Sequence, residues 1–122
     1  MISTMMPKTL PALMMAALFW GTPALGHVDL VASAPADKAV VAAPSQIVMR
    51  FSGPLITRVA NIRLTDSHGG TVMVTMVPGS NASELVGKID RSLVPGVYRA
   101  TWTAAGEDDG HRMSGNISFT VK

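Results

Sequence analysis

From Val28 onward, apolar side chains recur at every second position in short runs, and turn-forming residues separate the runs. In Gln46–Phe51, the residues Ile47, Met49 and Phe51 share one face, and Ala60–Leu64 keeps the same period through Ala60, Ile62 and Leu64. Such alternation marks a half-buried strand. Asp66–Gly70 supplies a turn, Thr71–Val77 is a β-branched run expected to pair back as a hairpin, and Pro78–Asn81 ends it. Glu84–Ile89, Gly96–Thr103 and Asn116–Lys122 continue the series, with Tyr98, Ala100 and Trp102 on one face and Ile117, Phe119 and Val121 on another. With Val28–Ser33 at the start, the pattern predicts about seven strands and no helix, the composition of an immunoglobulin-like β-sandwich. Leu93–Tyr98 carries Pro95-Gly96 just before a tyrosine at the start of a strand, the placement of a tyrosine corner, so Tyr98 is read as structural and Trp102, on the same face, as core.

The first 26 residues break this pattern. Met1–Lys8 holds one positive charge and no acid, 9–25 is mostly apolar, and Ala24-Leu25-Gly26 places small residues at −3 and −1 of a cut before His27. That layout is a secretory signal peptide. An uncleaved anchor is the competing reading, but the apolar run contains Pro11, Gly21 and Pro23 and is short for a span of roughly 20 residues. The expected division is 1–26 as leader and 27–122 as one domain. Cutting 26 residues from 122 leaves 96, enough for one core and too few for two. The overall 48% hydrophobic content is inflated by the leader.

Of ten Lys/Arg, only Lys8 lies in the leader, so nine face eight Asp/Glu in the domain, scattered along the chain. No basic tract for nucleic acid or polybasic membrane segment is present in the sequence. With no cysteine, the domain stands without disulfides and any metal site is built from His, carboxylate, Met or the terminal amine. Five of the nine methionines belong to the leader. The others, Met49, Met73, Met76 and Met113, form no sequence cluster and read mainly as packing residues, although Met113 follows His111 closely.

Three histidines remain. His68 sits in the Gly-rich turn and reads as a surface residue. His111 closes the polar loop Gly106–His111, where Asp109-Gly110-His111 places a carboxylate and an imidazole one residue apart, able to project together. Alone, that is an ordinary acidic turn. A mature chain beginning at His27 adds an imidazole and a free amine on one carbon, and the combined three nitrogens and one oxygen suit tetragonal Cu(II). Zinc accepts the same donors in a tetrahedral arrangement. All three nitrogens must be unprotonated, so binding is expected to weaken as pH falls. No G-x-S-x-G is present, and the adjacent Glu107 and Asp108 lack the opposed geometry of a glycosidase pair, so hydrolase readings are poor.

Two stretches, "HVDLVASAPADKAVVAAPSQIVMRFSGPL" and "LVPGVYRATWTAAGEDDGHRMSGNISFTVK", resemble the opening and closing halves of the CopC family of periplasmic copper-binding proteins. The shared features are the mature His, a Ser-x-Pro-Ala turn and a Phe-Ser strand end, then Pro-Gly-x-Tyr, a Trp strand, Asp-x-His and a Phe-x-Val final strand. The resemblance implies a seven-stranded Greek-key β-sandwich or barrel binding Cu(II) through His27 (ring and amine), Asp109 and His111. It further implies a monomeric periplasmic carrier or buffer in copper homeostasis or resistance, not an enzyme. The expected partners are the copper ion and an inner-membrane copper transporter of the CopD type, with no nucleic acid. Three departures stand out: Arg112 replaces a frequent Pro, Gly53 replaces a frequent acid, and the Met-rich segment some members use for Cu(I) is absent between Asp66 and Asn81. The alternatives are a copper-dependent oxidative enzyme, since some copper oxygenases also begin with His, and a metal-free adhesion or assembly module.

Overall fold

The structure, a computed structural model, describes residues 28–122. Among these residues nine strands follow one another: β1 (Leu30–Ala34), β2 (Ala39–Val41), β3 (Gln46–Phe51), β4 (Asn61–Asp66), β5 (Thr71–Val72), β6 (Val74–Val77), β7 (Glu84–Ile89), β8 (Gly96–Ala105) and β9 (Arg112–Val121). They form a four-stranded sheet in the order β1-β3-β7-β6 and a five-stranded sheet in the order β2-β9-β8-β4-β5. All pairings are antiparallel except β2 with β9. The result is the expected all-β, immunoglobulin-like sandwich, with a short 3₁₀ turn (Thr57–Val59) between β3 and β4.

Two differences raise the strand count above seven. The short β2 pairs in parallel with the end of β9, Ala39 opposite Phe119 and Val41 opposite Val121. The stretch Thr71–Val77 is divided at Met73: β5 stays beside β4, whereas β6 crosses to the other sheet and pairs with β7. The expected hairpin is therefore only two residues deep, Leu64 with Val72 and Thr65 with Thr71.

The inward residues of both sheets meet in one core. Ile47 and Met49 of β3, Leu64 of β4 and Ala100 of β8 are fully buried. Phe51 from one sheet meets Trp102 from the other edge-on at 4.9 Å, and Tyr98 stacks on Phe119 at 5.8 Å. Gly115 lies opposite Trp102, and a Cβ there would come within 2.8 Å of the indole, so the space over that strand belongs to the ring. The Tyr98 hydroxyl donates to the Val94 carbonyl at 2.7 Å, which establishes the tyrosine corner and satisfies a buried polar group.

Two turns are closed by carboxylates. Asp66 accepts N–H bonds from His68 (2.9 Å) and Gly70 (2.8 Å), leaving His68 exposed, while Glu84 accepts from the Ser80 N–H (2.8 Å) and hydroxyl (3.0 Å). The Gly70 and then His68 backbone donors hold the Asp66 carboxyl below its ordinary value, and the Ser80 backbone and then hydroxyl do the same for Glu84. Groups depressed in the folded state stabilise it above their unfolded pKa and lose that contribution as pH falls through the folded value. The melting temperature is thus expected to stay level, as far as these groups go, from neutrality to about pH 5 and to decline below about pH 4. In Asp66→Asn, thermal melts across that range should show a shallower acid limb.

Candidate metal centre

Asp109 and His111 lie in the hairpin loop between β8 and β9, a connection held by its own backbone. The Gly110 N–H donates to the Gly106 carbonyl at 2.9 Å, and the Gly106 N–H to the His111 carbonyl at 3.3 Å. Asp109 Oδ1 accepts the His111 N–H at 2.9 Å, a side-chain turn that fixes the two residues relative to each other. Gly110 between them has φ +68°, a left-handed conformation in which a side chain is strained, and nothing lies near the position its Cβ would take. Both Asp109 and His111 are exposed, as are Glu107 and Asp108. The loop thus presents three carboxylates and one imidazole to solvent from a short, hydrogen-bonded frame, with Asp109 the acid tied to His111.

That frame is tied to the beginning of the described chain through the segment following β3. The Glu107 N–H donates to the Pro54 carbonyl at 3.0 Å, the Ile56 N–H to the Ala105 carbonyl at 2.8 Å, and Leu55 bridges Gly106. The other end of the same segment holds Asp29: its N–H donates to Ser52 Oγ at 2.9 Å, and the Ser52 N–H returns to the Asp29 carbonyl at 2.8 Å. Val28 is 8% exposed within the core, and its Cγ2 would stand 3.4 Å from a Cβ at Gly53. Residues 52–56 therefore form a bracket, with Val28-Asp29 on one end and the base of the Asp109–His111 loop on the other.

His27, the third expected ligand residue, lies outside the described residues, as do the leader and its cleavage bond. Among the described residues no three His, Cys, Asp or Glu side chains gather into a metal-holding group. Asp109 and His111 offer an exposed oxygen and an imidazole nitrogen, donors of the kind that a tetragonal site uses. The methionines do not supplement them as a cluster. Met49 is fully buried, Met76 and Met113 pack partly against the core, and Met73 stands exposed at the β5–β6 crossing. The bracket residues Pro54 and Leu55 carry no chemical signature; they pair through the backbone with segments far apart in sequence, and Ser52 adds its hydroxyl as acceptor for Asp29.

The comparisons with known proteins agree with this architecture. The CopC domain matches residues 30–122. Copper resistance protein C of Xanthomonas campestris pv. juglandis is 33% identical over 116 residues, covering 89% of this chain and 91% of that protein. Copper transport protein CutJ of Bacillus subtilis is 29% identical over 112 residues, covering 89% of this chain but 20% of that longer protein. Among solved structures, PcoC, a methionine-rich copper resistance protein from Escherichia coli, superposes with a TM-score of 0.73 at 34% identity, covering 79% of this chain and 99% of that one. A domain match running from the first strand to the last residue, over a sandwich that superposes on its relatives, makes this chain a member of the CopC family.

Proposed function

We propose that this chain is a periplasmic copper-binding protein that carries or buffers Cu(II) in copper homeostasis or resistance, with the ion held by His27, Asp109 and His111. In this reading the leader is cut after Gly26, residues 27–122 are the mature, monomeric domain, and the new terminus contributes the amine and imidazole of His27. The observation that carries the proposal is the 52–56 bracket: it joins Asp29 to the Asp109–His111 loop, and His27 is two residues before Asp29. Consecutive Cα atoms are about 3.8 Å apart, so a terminus at His27 stays close to the anchored Val28.

The donor set favours Cu(II). Two imidazoles, an amine and a carboxylate are the nitrogen and oxygen ligands of tetragonal copper, whereas Cu(I) prefers thioethers. Unlike PcoC, described as methionine rich, this domain has only four methionines, and the structure distributes them between core and surface. Transfer to a membrane copper transporter of the CopD type is the expected route for the cargo. The matched stretch of CutJ, a fifth of that copper transport protein, supports the idea that such domains work beside transport machinery.

An oxidative copper enzyme would need a coordination position free for oxygen, the position the Asp109 carboxylate is assigned to fill. The two readings separate in one experiment. Cu(II) at 100 times its dissociation constant should stabilise the protein by about 2.7 kcal/mol, visible as a rise in melting temperature. The copper-loaded protein should then give no peroxide-driven turnover on a panel of polysaccharides. Turnover would support the enzyme, and an unchanged melting temperature would support a metal-free module.

A further inference from the structure

The five-stranded sheet has an outward face on which positive charge outweighs negative: Arg63 and Arg99 project from its strands, and the carboxylate at its β9 edge, Asp37, accepts the Ser118 N–H at 2.9 Å. Its strands contain a single acid, Asp66, which has the inward parity of Ile62 and Leu64 and accepts hydrogen bonds from the hairpin turn. On the outward positions, Arg63 lies opposite Thr101, and Arg99 lies between Thr65 and Ser118. Arg63 and Arg99 are thus diagonal neighbours on adjacent strands, about 7–8 Å apart at the backbone, with hydroxyl side chains rather than carboxylates opposite them. Arg112 adds a third guanidinium where β9 begins, beside the acidic loop Glu107–Asp109. All three are exposed.

The other sheet is a control within the same molecule. Its outward Arg50 lies opposite Glu84, and outward Lys88 faces Thr75, whose hydroxyl is bonded to Asp90 at 2.9 Å. Arg50 there has an acid directly across the strand, which Arg63 and Arg99 lack; Lys88, like Arg99, faces a residue to which an aspartate is bonded.

Next to the Arg99 row runs an apolar one. Val97 and Val40 flank Thr120 across three strands, and they are 50% and 62% exposed. No aromatic side chain projects outward from these strands to anchor a protein partner, the residue type that interface centres favour. Unpaired arginines beside exposed aliphatic groups on a broad sheet match a different surface, one with phosphates outside and hydrocarbon beneath.

We propose that this face docks reversibly on an anionic phospholipid bilayer, arginines on the headgroup phosphates and the valine row at the acyl boundary. The docking is independent of copper, because none of these residues belongs to the metal loop's donor set. Each arginine near an anionic surface contributes about fivefold to binding, so association is weak and is suppressed by salt.

The test is sedimentation of protein purified from expression of the full chain with vesicles of equal phosphatidylglycerol and phosphatidylcholine, or of phosphatidylcholine alone, with and without Cu(II). The native protein should bind the anionic vesicles only, in either copper state. The double variant Arg63→Gln/Arg99→Gln should bind about 25-fold more weakly with an unchanged melting temperature. A variant with the same charge change elsewhere, Arg58→Gln/Lys88→Gln, should bind like the native protein. Equal binding by both double variants, or equal binding to both vesicle types, would overturn the proposal. So would retention on immobilised polyglutamate without vesicle binding, which would assign the face to an acidic protein. Displacement from vesicles by millimolar inorganic phosphate at constant ionic strength would instead show a discrete anion site.

Discussion

His111→Ala is expected to weaken Cu(II) binding by more than about 100-fold while leaving the copper-free protein as stable as the native one. Losing an outer-shell partner of a metal ligand typically costs 10–100-fold in affinity, and loss of the ligand itself exceeds that. The selectivity follows from the loop's construction. Its hydrogen bonds run from Gly110 to Gly106, from Gly106 to His111 and from His111 to Asp109, and on the His111 side they use only backbone atoms. The imidazole is exposed and supports none of them. A surface change of this kind moves stability by about 0.5 kcal/mol or less. Asp109→Ala, by contrast, removes both the proposed oxygen donor and the acceptor of the turn. Copper titration beside thermal melts checks the prediction; an unchanged affinity in His111→Ala would remove this histidine from the site.

Phe119→Ala should have the largest effect on folding, about 3–5 kcal/mol. Phe119 is 1% exposed, stacks on Tyr98 and sits opposite Ala39 of the short parallel strand, so truncation opens a cavity where β2, β8 and β9 meet. Small domains are stable by about 5–15 kcal/mol, and here no disulfide shares the burden. A fall in melting temperature of roughly 15 °C or more is expected. A loss below about 1 kcal/mol in a denaturant titration would mean that the neighbouring side chains collapse into the space.

The parts of this architecture that were legible in the sequence are those governed by neighbours close along the chain. Period-two alternation located β3, β4, β7 and most of β8 because each has one face in the core. The Pro95-Gly96 bend announced the Tyr98 corner because its hydrogen bond spans four residues. Long-range causes were hidden. In Thr71–Val77, apolar side chains at 72, 73, 74, 76 and 77 fit no single face, since the chain changes sheets at Met73. The expected strand begins at Asn116 and omits 112–115 because Ser114-Gly115 looks like a turn, whereas Gly115 is in the strand and lies under the Trp102 ring. For the proposed metal centre, Asp109-Gly110-His111 is a local motif visible in the sequence. The bracket joining it to Asp29 pairs residues tens of positions apart, mostly through backbone atoms and through the one hydroxyl of Ser52, which leaves almost no pattern in side-chain type.

The central claim, a copper site completed by the chain's own terminus, is tested most directly by Cu(II) titration followed by electron paramagnetic resonance. The samples are protein whose first residue is verified by mass as His27 and a control carrying one extra glycine before it. The account predicts a single tight type-2 signal with nitrogen couplings, lost or altered in the control because the amine is moved away from the imidazole. An identical weak signal in both would contradict it and leave the Asp109–His111 loop an ordinary solvated hairpin.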